Sequence, residues 1–191
     1  LEIDEMGLIS RIVRKLLGQS TAPIAFKAKG EGCGIAPGND FVFPERISLG
    51  SHVHIEGNGY FNGQGGLTIH DHVIFAPGVA VMTSMHRYRG ASMVPYDEVD
   101  LLRPVTIERF VWVGMRAMIL PGVTLREGTI VGAGAVVTKS HPAGAILGGN
   151  PATQIGSRDM EAFRELVAQG RHYLVLKQKQ GLRKREVLDP R

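Results

Sequence analysis

Aliphatic residues recur at every sixth position in the second half of this chain. Ile107, Val113, Ile119, Leu125, Val131 and Val137 form one unbroken series. Four residues after each of the first five stand Val111, Ala117, Val123, Thr129 and Ala135, so the unit reads aliphatic-x-x-x-small-x. A fixed internal period is the mark of a repeat architecture. A period of six matches neither the 3.6-residue helix nor a simple alternating strand. It predicts an all-β fold, a parallel β-helix in which each hexapeptide supplies one short strand and one corner. The same spacing appears upstream in Phe43, Leu49, Ile55 and Phe61, and after an eight-residue step in Ile69, Phe75 and Val81. Three hexapeptides make a triangular coil of about 18 residues, and coils stack ~4.8 Å apart as strands do. The spacing predicts roughly four to five coils between residues 41 and 149, with the aliphatic column as the core. Each coil buries that column only against its neighbours, so both ends need caps.

Composition agrees with such a fold. Glycine supplies 25 of 191 residues, about twice its usual share, as expected where corners need positive φ. The formal net charge of +4 favours anionic partners such as a phosphorylated small molecule. Much of the excess lies at Lys177, Lys179, Arg183, Lys184 and Arg185, which reads as a solvated basic end. No nucleic-acid partner is expected. No apolar run reaches the ~18 residues that span a membrane, and the opening residues carry no secretory-leader pattern. The single cysteine, Cys33, has no partner in the chain for a disulfide. A reducing cytoplasm is the expectation.

Three regions follow. Residues 1–30 form a lead-in, with Leu8, Ile9, Ile12, Val13, Leu16 and Leu17 at helical spacing over 4–17. That helix reads as a cover for the first coil, with contact to a membrane surface as the alternative. Residues 31–156 carry the coil. Residues 157–191 carry a C-terminal helix and the basic tail. Ser157 is the expected N-cap, and Met160, Phe163, Leu166 and Val167 the packing face, up to about Gln169. The grid breaks between Val81 and Ile107, which predicts a loop thrown out over 82–106. A long loop on a regular scaffold is usually functional.

Several segments carry a resemblance. Val111 to Ser140 reads VWVGMRAMILPGVTLREGTIVGAGAVVTKS, and Gly149 to Ala152 reads GNPA. Both resemble the coenzyme-A-binding coils of the hexapeptide-repeat acyltransferases. TSMHRY at Thr83 to Tyr88 resembles the segment with their catalytic histidine. YFNGQGGL at Tyr60 to Leu67 resembles an acceptor-side strand of the galactoside and maltose O-acetyltransferase group, close to the polysaccharide O-acetyltransferases. The match covers residues 30–155 with its motifs in order. It implies a left-handed coil, a homotrimer, acetyl-coenzyme A as acyl donor, and a sugar or surface-polysaccharide precursor as acceptor. No metal is implied.

The candidate catalytic residue is His86. A hydroxyl attacks a thioester poorly while it keeps its proton, and imidazole titrates in the range needed to accept it and return it to the leaving thiolate. His86 lies five residues past the core residue Val81, where the loop leaves the coil. Asn62 follows core residue Phe61, so its amide is expected outward, one coil below Met82. The resemblance implies that Asn62 and Tyr60 bind the acceptor. Trp112 stands between inward Val111 and Val113 and is expected to point out. By resemblance it lines the coenzyme A groove with Gly114, Gly132 and Ala133, while Thr138 and Lys139 lie near the nucleotide end. The chain departs from the family after GNPA, where Gln154 stands in place of a basic residue and Arg158 is the candidate substitute. Cys33 has no base beside it in sequence, so direct transfer is expected rather than an acyl-enzyme.

Other readings remain. An amino-sugar N-acetyltransferase would use the same histidine. Zinc-binding gamma carbonic anhydrases share the coil, and His52, His54, His70 and His72 place His52 and His72 in one column. A coil kept as a non-catalytic scaffold is a third possibility.

Overall fold

A computed structural model describes residues 23–181, and its coil has three strand faces. The first stacks Ala28–Lys29, Ile47–Leu49, Leu67–Ile69, Val105–Ile107 and Thr124–Leu125. The second stacks Gly34–Ile35, His54–Ile55, Ile74–Phe75, Trp112–Val113, Ile130–Val131 and Ala145–Gly148. The third stacks Asp40–Val42, Tyr60–Asn62, Ala80–Val81, Met118–Ile119 and Val136–Val137. Within all three faces these neighbours pair in parallel, one coil to the next. Thr153–Ser157 then turns back antiparallel on Ala145–Gly148 and closes the far edge. The parallel β-helix read from the repeat is therefore present. The expected helix over 4–17, and Arg183, Lys184 and Arg185 of the tail, lie outside the described residues.

The repeat places its core as expected. Ile107, Val113, Ile119, Leu125, Val131 and Val137 are buried, and so are the small partners Val111, Ala117, Val123, Thr129 and Ala135. One position of the grid is corrected. Phe43 does not point in; it is exposed, has φ 55°, and caps a 3-10 turn at Pro44–Arg46. That turn lengthens the corner by two residues, so the last inward residue before it is Phe41. Its ring lies 5.1 Å from that of Phe61, with Phe26 at 5.0 Å on one side and Phe75 at 5.3 Å from Phe61 on the other. The eight-residue step thus occurs twice, from Phe41 to Leu49 and from Phe61 to Ile69.

The corner between the first and second faces sets the position of the C-terminal cap. Gly32, His52, His72, Phe110, Gly128 and Gly144 occupy it in successive coils, all with positive φ. In the middle coils aromatic rings accept this left-handed backbone and stack on one another. The ring centroids of His52 and His72 are 5.1 Å apart and those of His72 and Phe110 4.8 Å, both nearly parallel. At the far end the glycines leave room. A side chain at Gly128 would meet the ring of Phe163, and one at Gly144 the sulfur of Met160. Both residues belong to helix α1, Met160–Ala168. Its N-cap is Asp159, whose carboxylate accepts the backbone N–H groups of Glu161 and Ala162 at 3.0 and 3.1 Å. Ser157, the expected cap, is the last residue of the edge strand, because that strand runs further than the repeat could show. A second helix, α2, runs over Tyr173–Gln180 and ends at Gly181. Among the described residues no helix is long and apolar enough to cross a membrane.

Candidate active site

The break in the repeat is a hairpin. Ser84–His86 pairs antiparallel with Asp100–Leu102, matching His86 to Asp100. The excursion is narrower than 82–106, since Thr83 and Val105 are buried in the coil. The Thr83 hydroxyl donates to the Asn62 carbonyl and accepts from the Gly65 N–H, each at 2.8 Å. These bonds tie the base of the hairpin to the coil below.

The hairpin register brings a carboxylate to the histidine. Nδ1 of His86 lies 2.9 Å from Oδ1 of Asp100. The other oxygen, Oδ2, accepts from Nε2 of Gln64 at 2.8 Å. A proton on Nδ1 is then directed at Asp100, and Nε2 is left as the basic nitrogen. Both side chains are solvent-accessible, His86 at 56%. The ring of Tyr96 covers one face of the imidazole at 4.0 Å between centroids and 5° between planes. Sequence reasoning missed Asp100, Gln64 and Tyr96. The signal lay in the pairing of residues 86 and 100 across a polar loop without periodicity.

Asn62 joins the same region from the third face. Its Nδ2 donates to Oγ of Ser84 at 3.1 Å, and its Oδ1 accepts the Gln64 N–H at 2.7 Å. An amide nitrogen has two hydrogens, so one remains beyond the bond to Ser84. Tyr60 is partly exposed on the same strand, below Ala80 of the next coil. Continuing the strand register, Asn62, Met82, Leu120 and Thr138 follow one another along a single edge of the third face. Lys139 comes next in the chain and is exposed.

Gly114, Gly132 and Ala133 lie at the corner between the second and third faces, the opposite edge of the third, and Trp112 lies on the second face. Trp112 points outward as expected and is 50% exposed. Gly114 stacks tightly beneath the next coil: a side-chain carbon there would lie 2.7 Å from the Ala133 nitrogen and the Val131 carbonyl oxygen. Gly132 stacks in turn beneath Gly148, and Ala133 is exposed. One chain therefore does not bring Trp112, Gly114, Gly132 and Ala133 together with Thr138, Lys139 and His86. Trp112 lines a groove of about 500 Å³ between the second face and the two helices, with Ile74, Phe110, Phe163, Leu166 and Tyr173. Arg158 sits there too, its Nε donating to the Gly128 carbonyl at 2.7 Å. Burial lowers its pKa.

His52 and His72 share a column, as the grid expected. Their rings are stacked and nearly parallel, so the in-plane lone pairs of their nitrogens lie in separate parallel planes and do not converge on one ion. Among the described residues no group of three or more His, Cys, Asp or Glu side chains could hold a metal ion. Cys33 lies against the backbone, its sulfur 3.1 Å from the Gly50 carbonyl oxygen.

The family profile "Bacterial transferase hexapeptide (six repeats)" matches residues 104–139. The galactoside O-acetyltransferase of Escherichia coli is 30% identical over 154 residues, covering 78% of this chain and 68% of that protein. A 2,3,4,5-tetrahydropyridine-2,6-dicarboxylate N-acetyltransferase of Staphylococcus aureus is 40% identical over 87 residues, covering 44% of this chain and 36% of the relative. The chain spans about two fifths of the length of such curated relatives. Among solved structures, a hexapeptide-repeat acetyltransferase from Vibrio cholerae in complex with acetyl coenzyme A has a TM-score of 0.64 at 25% identity, over 82% of this chain and 79% of that one. The unbroken repeat, the stacked coils and a relative matched over two thirds of its length agree: this chain belongs to the hexapeptide-repeat acetyltransferases.

Proposed function

We propose that the protein transfers an acetyl group from acetyl-coenzyme A to a hydroxyl of a sugar or surface-polysaccharide precursor. The observation that carries the reading is the His86–Asp100 pair on a hairpin at the edge of a hexapeptide coil. Oδ1 of Asp100 lies 2.9 Å from Nδ1, which supports a proton on that nitrogen and leaves Nε2 to take the acceptor's proton as its oxygen attacks the thioester carbon. The tetrahedral intermediate then expels coenzyme A thiolate, and the imidazolium returns the proton to sulfur. The remaining Asn62 hydrogen supports a role in binding the acceptor or the oxyanion. Cys33 takes no part, since its thiol is directed at backbone carbonyls and no acyl-enzyme is needed.

The coil is read as left-handed and the assembly as a homotrimer. Trp112 on the second face, with Gly114, Gly132 and Ala133 at its corner with the third, stands across the third face from Thr138 and Lys139, and packing one subunit against its neighbour would bring the two sets together. In that arrangement Trp112, Gly114, Gly132 and Ala133 flank the pantetheine arm, and Thr138 and Lys139 lie toward the nucleotide. An amino-sugar acceptor is the second reading, because an amine meets the same base; the N-acetyltransferase relative supports nitrogen as the acceptor atom and not the sugar. The test is release of free thiol from acetyl-coenzyme A with a panel of galactosides, glucosides and amino sugars, each product weighed by mass spectrometry. A product heavier by one acetyl group on oxygen supports the first reading, and one on nitrogen supports the second. No transfer to any hydroxyl or amine, with the protein folded, would remove both.

A further inference from the structure

The hairpin contains the only carboxylate buried among the described residues. Asp97 is 2% exposed although it lies on an excursion away from the core. Its Oδ2 accepts from Nε of Arg87 at 2.8 Å and also from Nη2 of Arg87, and from the Ser92 N–H at 3.1 Å. Its Oδ1 accepts the Val99 N–H at 3.1 Å. A buried carboxylate is costly unless it is paired and hydrogen-bonded, and this one is engaged on both oxygens. Arg87 holds it in its charged form, with a pKa lowered to about 2. Its sequence neighbours show what such a clamp positions. Arg87 follows His86, and Asp97 follows Tyr96. The Arg87 N–H also donates to the Val99 carbonyl at 2.9 Å, which extends the hairpin beyond the His86–Asp100 pair.

We propose that Tyr96 is a positioning residue for the general base: the Arg87–Asp97 clamp lays its ring flat on the His86 imidazole and fixes the plane in which Nε2 meets the acceptor. This deepens the acetyltransfer reading and rests on it. Asp100 alone fixes one nitrogen but leaves the ring free to rock about that bond. The stacked ring removes that freedom and closes one face of the imidazole, so the acceptor approaches along the Nε2 edge. Small errors in the geometry of a base lower turnover steeply, whereas the residues proposed to hold coenzyme A are others, so donor affinity should not sense the change.

The test compares Tyr96→Leu with Tyr96→Phe, using acetyl-coenzyme A and methyl galactoside, or whichever sugar the acceptor panel returns. Tyr96→Leu should lower kcat by about ten- to a hundredfold with KM for acetyl-coenzyme A unchanged. Tyr96→Phe keeps the ring and should stay within about twofold of wild type. Proton NMR gives a readout independent of the acceptor. The His86 ring protons, assigned by their loss in His86→Ala, should be shifted upfield by the tyrosine ring. That shift should survive Tyr96→Phe and vanish in Tyr96→Leu and Asp97→Asn. The proposal is overturned if folded Tyr96→Leu turns over normally, if Tyr96→Phe falls as far as Tyr96→Leu, or if the wild-type protons carry no upfield shift. An active His86→Ala would remove the general-base reading itself, and this inference with it. An inactive His86→Ala beside a normal Tyr96→Leu would remove this inference alone.

Discussion

The candidate base His86 is held by a partner distant in sequence, Asp100. His86 is exposed, and a free imidazole would carry its proton on either nitrogen. Asp100 decides which. His86→Ala should lower turnover by about 10²–10⁴-fold, the usual cost of losing a positioned base. Coenzyme binding and the melting temperature should stay near wild type. Asp100→Asn should also lose activity, by about 10² or more, since an amide can donate to Nδ1 and favour the wrong tautomer. Steady-state kinetics on both variants, with folding checked by circular dichroism, decide the matter. Normal turnover in Asp100→Asn would show that the carboxylate has no part in the chemistry. Cys33→Ser should keep most activity. His86 was legible as a candidate because the TSMHRY segment and the break in the repeat coincide. Asp100 was not, because the link from residue 86 to residue 100 exists only once the hairpin closes.

Among the elements, strand interiors were legible and corners were not. Inward residues announce themselves by a strict period, whereas a corner is set by φ and by the coil above it. Phe43 fell on the period, yet the extra turn at Pro44–Arg46 puts it outside. Gly114 stands at a corner, directly after the Trp112–Val113 strand. The backbone of Val131–Ala133 lies directly against it, so Gly114→Val should lower the melting temperature. Ala133 is the better probe of the groove. Ala133→Trp should weaken coenzyme A binding by about tenfold or more with the fold kept, as read by calorimetry; ~1.4 kcal/mol corresponds to that factor. Unchanged affinity would mean that the coenzyme runs elsewhere. The histidine corner makes a pH prediction. Burial, helped by His172 and His52 and by Arg109, holds the pKa of His72 at about 4, against the opposing pull of Asp71. An unfolded chain would take up that proton near the ordinary 6.5. Between these values the unfolded state binds more protons, so stability is full above pH ~6.5 and falls as pH drops toward 4. The melting temperature should decline over that window, and less steeply in His72→Phe, where a phenyl ring continues the stack without charging. Parallel curves for the two proteins would locate the acid sensitivity elsewhere.

At the scale of the whole molecule, the period of six was enough to fix the parallel coil, because each unit can bury its aliphatic residue only against the unit above and below. The hand of the coil has no such signature in the period. The way the far end is covered depends on which corner residues are small, which only the stacked column of Gly128 and Gly144 reveals. The same logic extends to the assembly. Trp112, Met115 and Leu102 are about half-exposed and Ile155 more so, while Gly114, Gly132 and Ala133 sit at the edge of the third face opposite Thr138 and Lys139. In the homotrimer proposed above a second copy would complete these surfaces, and closed cyclic symmetry would make each edge meet the other in every subunit. A homotrimer should therefore sediment as one species at micromolar concentration, and coenzyme A should bind with one site per subunit. A charged side chain on the apolar surface, as in Met115→Glu, should dissociate the trimer and abolish coenzyme binding together, while circular dichroism keeps its β signature. Each alternative outcome is informative. A wild-type monomer that binds coenzyme A would place the whole groove on one chain. A dissociated Met115→Glu that still binds it with wild-type affinity would show that the interface and the groove are separate surfaces.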